Sequence, residues 1–279
     1  MEGTFYGWYM KTQSDSQTLA VISAVHKSGK KCNSSIQIIT KENAWNIDFP
    51  IEEYVKRGKN ISIGDNRFGE KGIRLKIDKP QLKVDGKLKF GVLSPLKYDI
   101  MGPFAMVPFM ECRHSVWSMK HTVNGTICIN DEIFNFENAY GYWEGDEGRS
   151  FPKHYAWTHC FFKGGSLMLS VAEIPFAGFR FTGVICSILW RGRQYRLATY
   201  LGARPVCIHN GKIVIAQGNM KLEAQLLDAS GYALKAPVAG NMERMIRENA
   251  ACRGRYRFSI GGKTLFAFET DKASFEYEY

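Results

Sequence analysis

Apolar and polar residues alternate with a period of two along most of this chain, and that pattern restricts the fold more than any other feature. Phe5–Thr12, Thr18–His26, Ser35–Thr40, Leu88–Leu93, Ser115–His121, His154–Phe162, Phe181–Trp190, Lys212–Gln217 and Tyr256–Ile260 are typical runs. Side chains on a strand point alternately to its two faces, so such runs fit strands with one buried side. Asp85-Gly86, Asn124-Gly125, Asn130-Asp131, Asn210-Gly211 and Gly261-Gly262 separate them. These dipeptides accept the positive φ of tight hairpins. Aromatics make up 13% of the residues, and 27 glycines outnumber 9 prolines, which suits twisted strands and close turns. The expected class is all-β, a sandwich or barrel. One helix is expected over Asn241–Asn249, with Asn241 as N-cap and Met242, Met245 and Ile246 on one stripe.

The chain also resembles itself. Tyr6-Gly-Trp8 matches Tyr155-Ala-Trp157, Thr18–Ser23 matches Ser166–Val171, and Arg74–Ile77 matches Lys221–Ala224, all at an offset of about 148 residues. Cys112-Arg113 against Cys252-Arg253, and Ile133–Glu137 against Leu265–Glu269, follow in the same order at shorter offsets. Ordered matches of this kind predict an internal duplication, with halves 1–150 and 151–279.

The formal net charge is +10, with the densest basic group at Arg253, Arg255 and Arg257 on one face of a strand. A solvated face, or contact with a phosphate or with the lipid headgroups of an anionic membrane surface, fits that group. No nucleic-acid-binding motif accompanies it, so no nucleic acid partner is expected. The seven cysteines include no CxxC pair and sit mostly in apolar runs. Neither a disulfide framework nor a metal site is expected. The N-terminus lacks a leader's basic and apolar regions, and no run reaches the roughly 18 apolar residues of a membrane span. A cytoplasmic chain is the expectation.

Gly141-Tyr-Trp-Glu-Gly-Asp-Glu-Gly-Arg-Ser-Phe-Pro-Lys-His-Tyr-Ala-Trp-Thr-His-Cys160 resembles the tocopherol cyclase-like family in its acidic, glycine-rich stretch, its Ser-Phe-Pro and its Trp-containing strand. Tyr6-Gly-Trp-Tyr-Met-Lys11 resembles the opening of that family, and Met101-Gly-Pro with Met110-Glu-Cys-Arg-His114 is similar to its central block. The resemblance implies a calycin architecture of two lipocalin-like β-barrel halves. It also implies kinship with carotenoid hydratase-type proteins and acid-catalysed closure or hydration of an alkene, without a cofactor.

Such chemistry needs a carboxylic acid kept protonated by burial and an aromatic, dry surround for the cation. On a regular strand after Pro152, Tyr155, Trp157 and His159 share a face. They are a pocket wall or simply core. Glu144 and Asp146 read as a glycine-freed acidic loop at the pocket mouth, with Arg149 able to hold one carboxylate ionised, or as a solvated turn. Glu111 and His114 follow an apolar stretch but have opposite parity, so they share a pocket only if the strand bulges or ends between them. Trp8 and Tyr9 read as the base of the first half. Glu144, Asp146 and His159 are the catalytic candidates; Trp157, Tyr155, Arg149, Glu111, His114 and Trp8 are the ligand-binding ones. The expected ligand is a hydrophobic, isoprenoid or polycyclic small molecule. A non-catalytic carrier of a similar ligand, or a partner-binding β-protein with a filled pocket, fits the same residues.

Overall fold

The computed structural model describes residues 3–29, 31–108, 110–176, 178–228, 231–238 and 240–279. The first strands are Thr4–Gln13 (β1), Thr18–Ser28 (β2), Lys31–Thr40 (β3), Ala44–Pro50 (β4), Tyr54–Arg57 (β5), Asn60–Ile63 (β6), Asn66–Gly69 (β7), Gly72–Lys79 (β8), Leu82–Phe90 (β9), Cys112–Ile129 (β10) and Glu132–Gly148 (β11). Then come Tyr155–Phe162 (β12), Gly165–Phe176 (β13), Phe179–Trp190 (β14), Arg193–Ala198 (β15), Arg204–His209 (β16), Lys212–Gln217 (β17), Met220–Leu226 (β18), Tyr232–Val238 (β19), Asn241–Ile260 (β20) and Lys263–Tyr277 (β21). Among the described residues there is no α-helix, and no helix long and apolar enough to cross a membrane.

Two large antiparallel sheets result. One runs β4-β3-β2-β1-β11-β10-β9-β8-β7-β6-β5, the other β15-β14-β13-β12-β21-β20-β18-β17-β16. Each places its first strand between its second and its last. The chain divides into two compact units, Met1–Lys97 with His114–Ser150 and Ala236–Arg244, and Tyr98–Arg113 with Phe151–Lys235 and Met245–Tyr279.

The pleat sorts the first unit. Trp8 pairs with Gly145 and Met10 with Trp143, and Trp8, Met10 and Trp143 enter a core with Leu19, Ile38 and Phe136. Trp8 meets Trp143 edge to face at 4.9 Å between centroids, and Trp117 stacks on Trp143 at 5.5 Å. Each such pair adds about 0.5–1.5 kcal/mol beyond the area it buries. Gly145 makes this possible: a Cβ there would lie 2.8 Å from the Trp8 ring. The residues between, Tyr9 opposite Glu144 and Lys11 opposite Tyr142, occupy the other face and are also buried. In the second unit Ala156 and Cys160 enter the core with Leu167 and Leu169, while Tyr155, Trp157, His159 and Phe161 are buried on the opposite face of β12.

Three expectations are corrected. Asn241–Asn249 is the start of strand β20, not a helix. Met245 is 56% exposed and Ile246 4%, the alternation of a strand rather than a helical stripe; the side chains of Asn241 and Met242, including the expected cap, lie outside the described residues. Asp85-Gly86 and Asn124-Gly125 are mid-strand, because a Cβ at Gly86 or Gly125 would strike the neighbouring backbone at 2.2 Å. Asn130-Asp131 and Asn210-Gly211 do turn the chain, with positive φ at both residues. The acidic stretch Glu144–Glu147 is part of β11, not a loop. None of the seven cysteines is joined in a disulfide.

Two buried histidines outside the acidic cluster set an acid limit on stability. Burial lowers His26 to about 4, against the opposing pull of Asp48, and lowers His121 to about 4. Each ring uses one nitrogen, His26 with Ser35 at 2.9 Å and His121 with Ser118 at 3.0 Å. Both are neutral when folded, whereas the unfolded chain protonates them near pH 6.5. Their contribution is complete above that pH and is lost as pH falls toward 4, by roughly 3 kcal/mol at most for each. Urea unfolding of the chain and of the double variant His26→Gln/His121→Gln between pH 7 and 4 checks this; equal pH dependence in both would refute it.

Candidate functional site

Strand alternation brings Tyr142, Glu144 and Asp146 to one face of β11, and the neighbouring β10 delivers His114 to the same place. His114 Nδ1 lies 2.9 Å from Asp146 Oδ1 and hydrogen-bonds to it. Its Nε2 lies 3.1 Å from Glu144 Oε2, an ion-pair distance but off the line of a good hydrogen bond. The Tyr142 hydroxyl donates to the same Oε2 at 2.5 Å. Glu144 is 4% exposed and Tyr142 fully buried; Asp146, with 23% of its side chain accessible, is the more open member.

The electrostatics follow from this crowding. Burial pushes Glu144 above the usual carboxylate range, and Asp146 pushes it further. His114 and the Tyr142 hydrogen bond pull it back without reversing the direction. Burial alone would discharge His114, but Asp146 and then Glu144 raise it well above its ordinary value. Burial, followed by the Glu144 charge, raises Tyr142, which therefore stays a phenol and a donor. The arrangement is an imidazolium between two carboxyl groups, with a buried carboxyl inclined to keep its proton.

The same three side chains are the set among the described residues whose donor atoms could hold a metal ion, all within 4.8 Å of one another. One imidazole nitrogen and two carboxylate oxygens form a hard, mixed donor set for a divalent cation.

Of the residues singled out from sequence, the structure joins Glu144, Asp146 and His114. Trp8 is in the hydrophobic core, on the opposite face of β1 and β11 from Glu144, and its indole N–H donates to Tyr6 at 2.7 Å. Glu111 is half-buried in the bend before β10, so strand parity does not tie it to His114. Arg149 is half-buried just beyond β11, where its carbonyl accepts the Gly240 N–H at 2.8 Å; His114 lies within ion-pair distance of both carboxyl groups. Tyr155, Trp157 and His159 belong to the second unit. Tyr155 donates to Glu276 at 2.5 Å, and His159 Nε2 is 3.1 Å from Ser166 Oγ. Tyr142 was not among the candidates, although its position two residues from Glu144 puts it on the same strand face. The complete burial of Lys11 beside it had no such signal.

No family model matches the sequence, and no curated protein matches it. Solved structures do. The fold aligns with CghA bound to Sch210972 (TM-score 0.64, 7% identity, 99% of this chain and 88% of that one). It aligns with kievitone hydratase from Nectria haematococca (TM-score 0.58, 9% identity, 99% and 89%). It also aligns with an AttH-like protein from Nitrosomonas europaea (TM-score 0.55, 9% identity, 100% and 93%). At these identities the likeness is one of fold.

Proposed function

We propose that the chain is an acid catalyst of the cyclase or hydratase type, acting on an alkene of a hydrophobic isoprenoid-type molecule, with Glu144 as the proton donor. The observation that carries this reading is the buried Glu144 carboxyl, raised by burial and gripped at one oxygen by Tyr142 and His114. A carboxyl held in this way can deliver its proton to an alkene. The proton adds to the less substituted alkene carbon and leaves a cation on the other. A phenol oxygen of the substrate, or water, closes on that cation, and its proton returns to Glu144. Cyclisation changes no atom count, and hydration adds one water. In this scheme Tyr142, His114 and Asp146 are positioning residues. A tocopherol cyclase-like reaction is the specific form that the sequence motifs favour, and the hydratase-type fold neighbours are consistent with the broader class. The ordered internal matches, with the like placement of the first strand in each sheet, support two duplicated lipocalin-like halves.

The test is incubation of the full chain with a panel of prenylated phenols and quinols, followed by mass spectrometry and chromatography. An isomer of equal mass, or a product heavier by one water, is the expected result. Saturable binding with no conversion of any member would replace the enzyme with a carrier, and neither binding nor conversion would remove both readings.

A further inference from the structure

Outside the acidic cluster, the first unit carries a second concentration of charge, of opposite sign and on its solvent face. Along one rung of neighbouring strands, Val55 pairs with Ser62, Ser62 with Arg67, Arg67 with Arg74, and Arg74 with Lys87. On the next rung Arg57 pairs with Asn60, and Lys89 with Gly72. Arg57, Arg67, Arg74, Lys87 and Lys89 are all exposed, and among the described residues none has a carboxylate partner. Like charges directly opposite on a sheet are destabilising, so an uninterrupted row of them is an arrangement that folding alone does not favour. Arg57, Asn60, Ser62 and Arg67 also line a cleft of about 370 Å³ together with Val55 and Gly64, with Glu53 on its wall. Arg67 is anchored, since its guanidinium donates to the carbonyls of Gly64 and of Asn66, the latter at 2.8 Å. The basic triplet Arg253, Arg255 and Arg257 differs in being answered. There Arg255 meets Glu269 at 2.6 Å, Arg253 lies 3.9 Å from it, and Arg257 donates to the Thr264 hydroxyl at 2.9 Å.

We propose that this cleft binds a phosphate-bearing group, with Arg57 and Arg67 on its oxygens, Asn60 and Ser62 as neutral donors, and Arg74, Lys87 and Lys89 extending the attraction. Arginine forks match phosphate oxygens bidentately, and the neighbouring cations raise the local anion concentration. Glu53, also on the lining, disfavours an anion beside its own carboxylate. The group belongs either to a lipid headgroup or to a soluble phosphate.

The experiment uses the full chain in two arms: co-sedimentation with phosphatidylcholine vesicles with and without phosphatidic acid, and calorimetric titration with inorganic pyrophosphate. Binding to the anionic vesicles alone identifies a headgroup site; pyrophosphate binding without vesicle binding identifies a soluble ligand; either supports the proposal. Arg57→Gln/Arg74→Gln, at positions with no side-chain partner, is expected to weaken whichever binding is seen by about 25-fold at low salt, about fivefold for each charge. The control Arg255→Gln leaves it unchanged. Absence of binding in both arms, full retention in the double variant, or tighter binding to a random single-stranded oligonucleotide than to either probe would overturn it.

Discussion

Glu144→Gln is expected to lower turnover of a cyclisable prenyl substrate by about 10²–10⁴-fold while leaving its binding within a few-fold of the parent. The substitution keeps the shape of the side chain and an oxygen for the Tyr142 hydroxyl, so it removes the proton and little else. The pH profile separates a donor from a structural residue. A donor must be protonated, so turnover is full at low pH and falls as pH rises through the raised value of Glu144. The Tyr142 hydrogen bond pulls that value down. Tyr142→Phe should therefore move the alkaline fall to higher pH, a shift that a packing defect would not produce. Turnover by Glu144→Gln equal to that of the parent would end the assignment of this residue.

The second large effect is on stability. Replacing His114 by Gln removes the cation hydrogen-bonded to the partly accessible Asp146 and facing the buried Glu144, and should cost about 1.5–3 kcal/mol in urea unfolding at pH 7. The sign with pH is defined. His114 is raised in the folded chain, so its contribution is complete below about pH 6.5 and is lost as pH rises through the raised value. Glu144, also raised, favours the folded chain in its protonated form and acts in the same direction. The gap between parent and variant should therefore be widest at neutral to mildly acidic pH and narrow in alkali. Equal stability at pH 7 would show that His114 does not hold its charge on Asp146 in the way described above.

Much of the strand content was legible because a period of two is a local property, visible in any five or six residues. Lys212–Gln217 is a strand with those same limits, and Asn210-Gly211 is the turn before it. The expectations that failed are those in which a local signal has two physical causes. Glycine permits a tight turn and also permits two strands to approach, and at Gly86 and Gly125 the second cause operates. Met242, Met245 and Ile246 fit a helical stripe, yet the segment lies within a long strand whose pairing with β21 runs from Glu248 to Ile260. Backbone pairing across the sheet satisfies more polar groups than an isolated helical turn, and it outweighs a weak local preference.

By itself the sequence determined the class of fold, the positions of most strands, and the candidacy of Glu144, Asp146 and His114, because alternation, turn chemistry and residue type are carried by neighbours in the chain. Only the tertiary structure decided which of these candidates meet. The register between β1 and β11 sends Trp8 to the core and Glu144 to the other face, and one residue of slip would exchange them. His114 is 30 residues from Glu144, and the neighbouring strands β10 and β11 close that distance to 3.1 Å. Charge behaved the same way: two members of the basic triplet evident in the sequence are answered by Glu269, whereas the unanswered row at Arg67, Arg74 and Lys87 is assembled strand by strand. Burial and register are properties of the packed sheet, and they alone turn a carboxylate into an acid or a scattered charge into a patch.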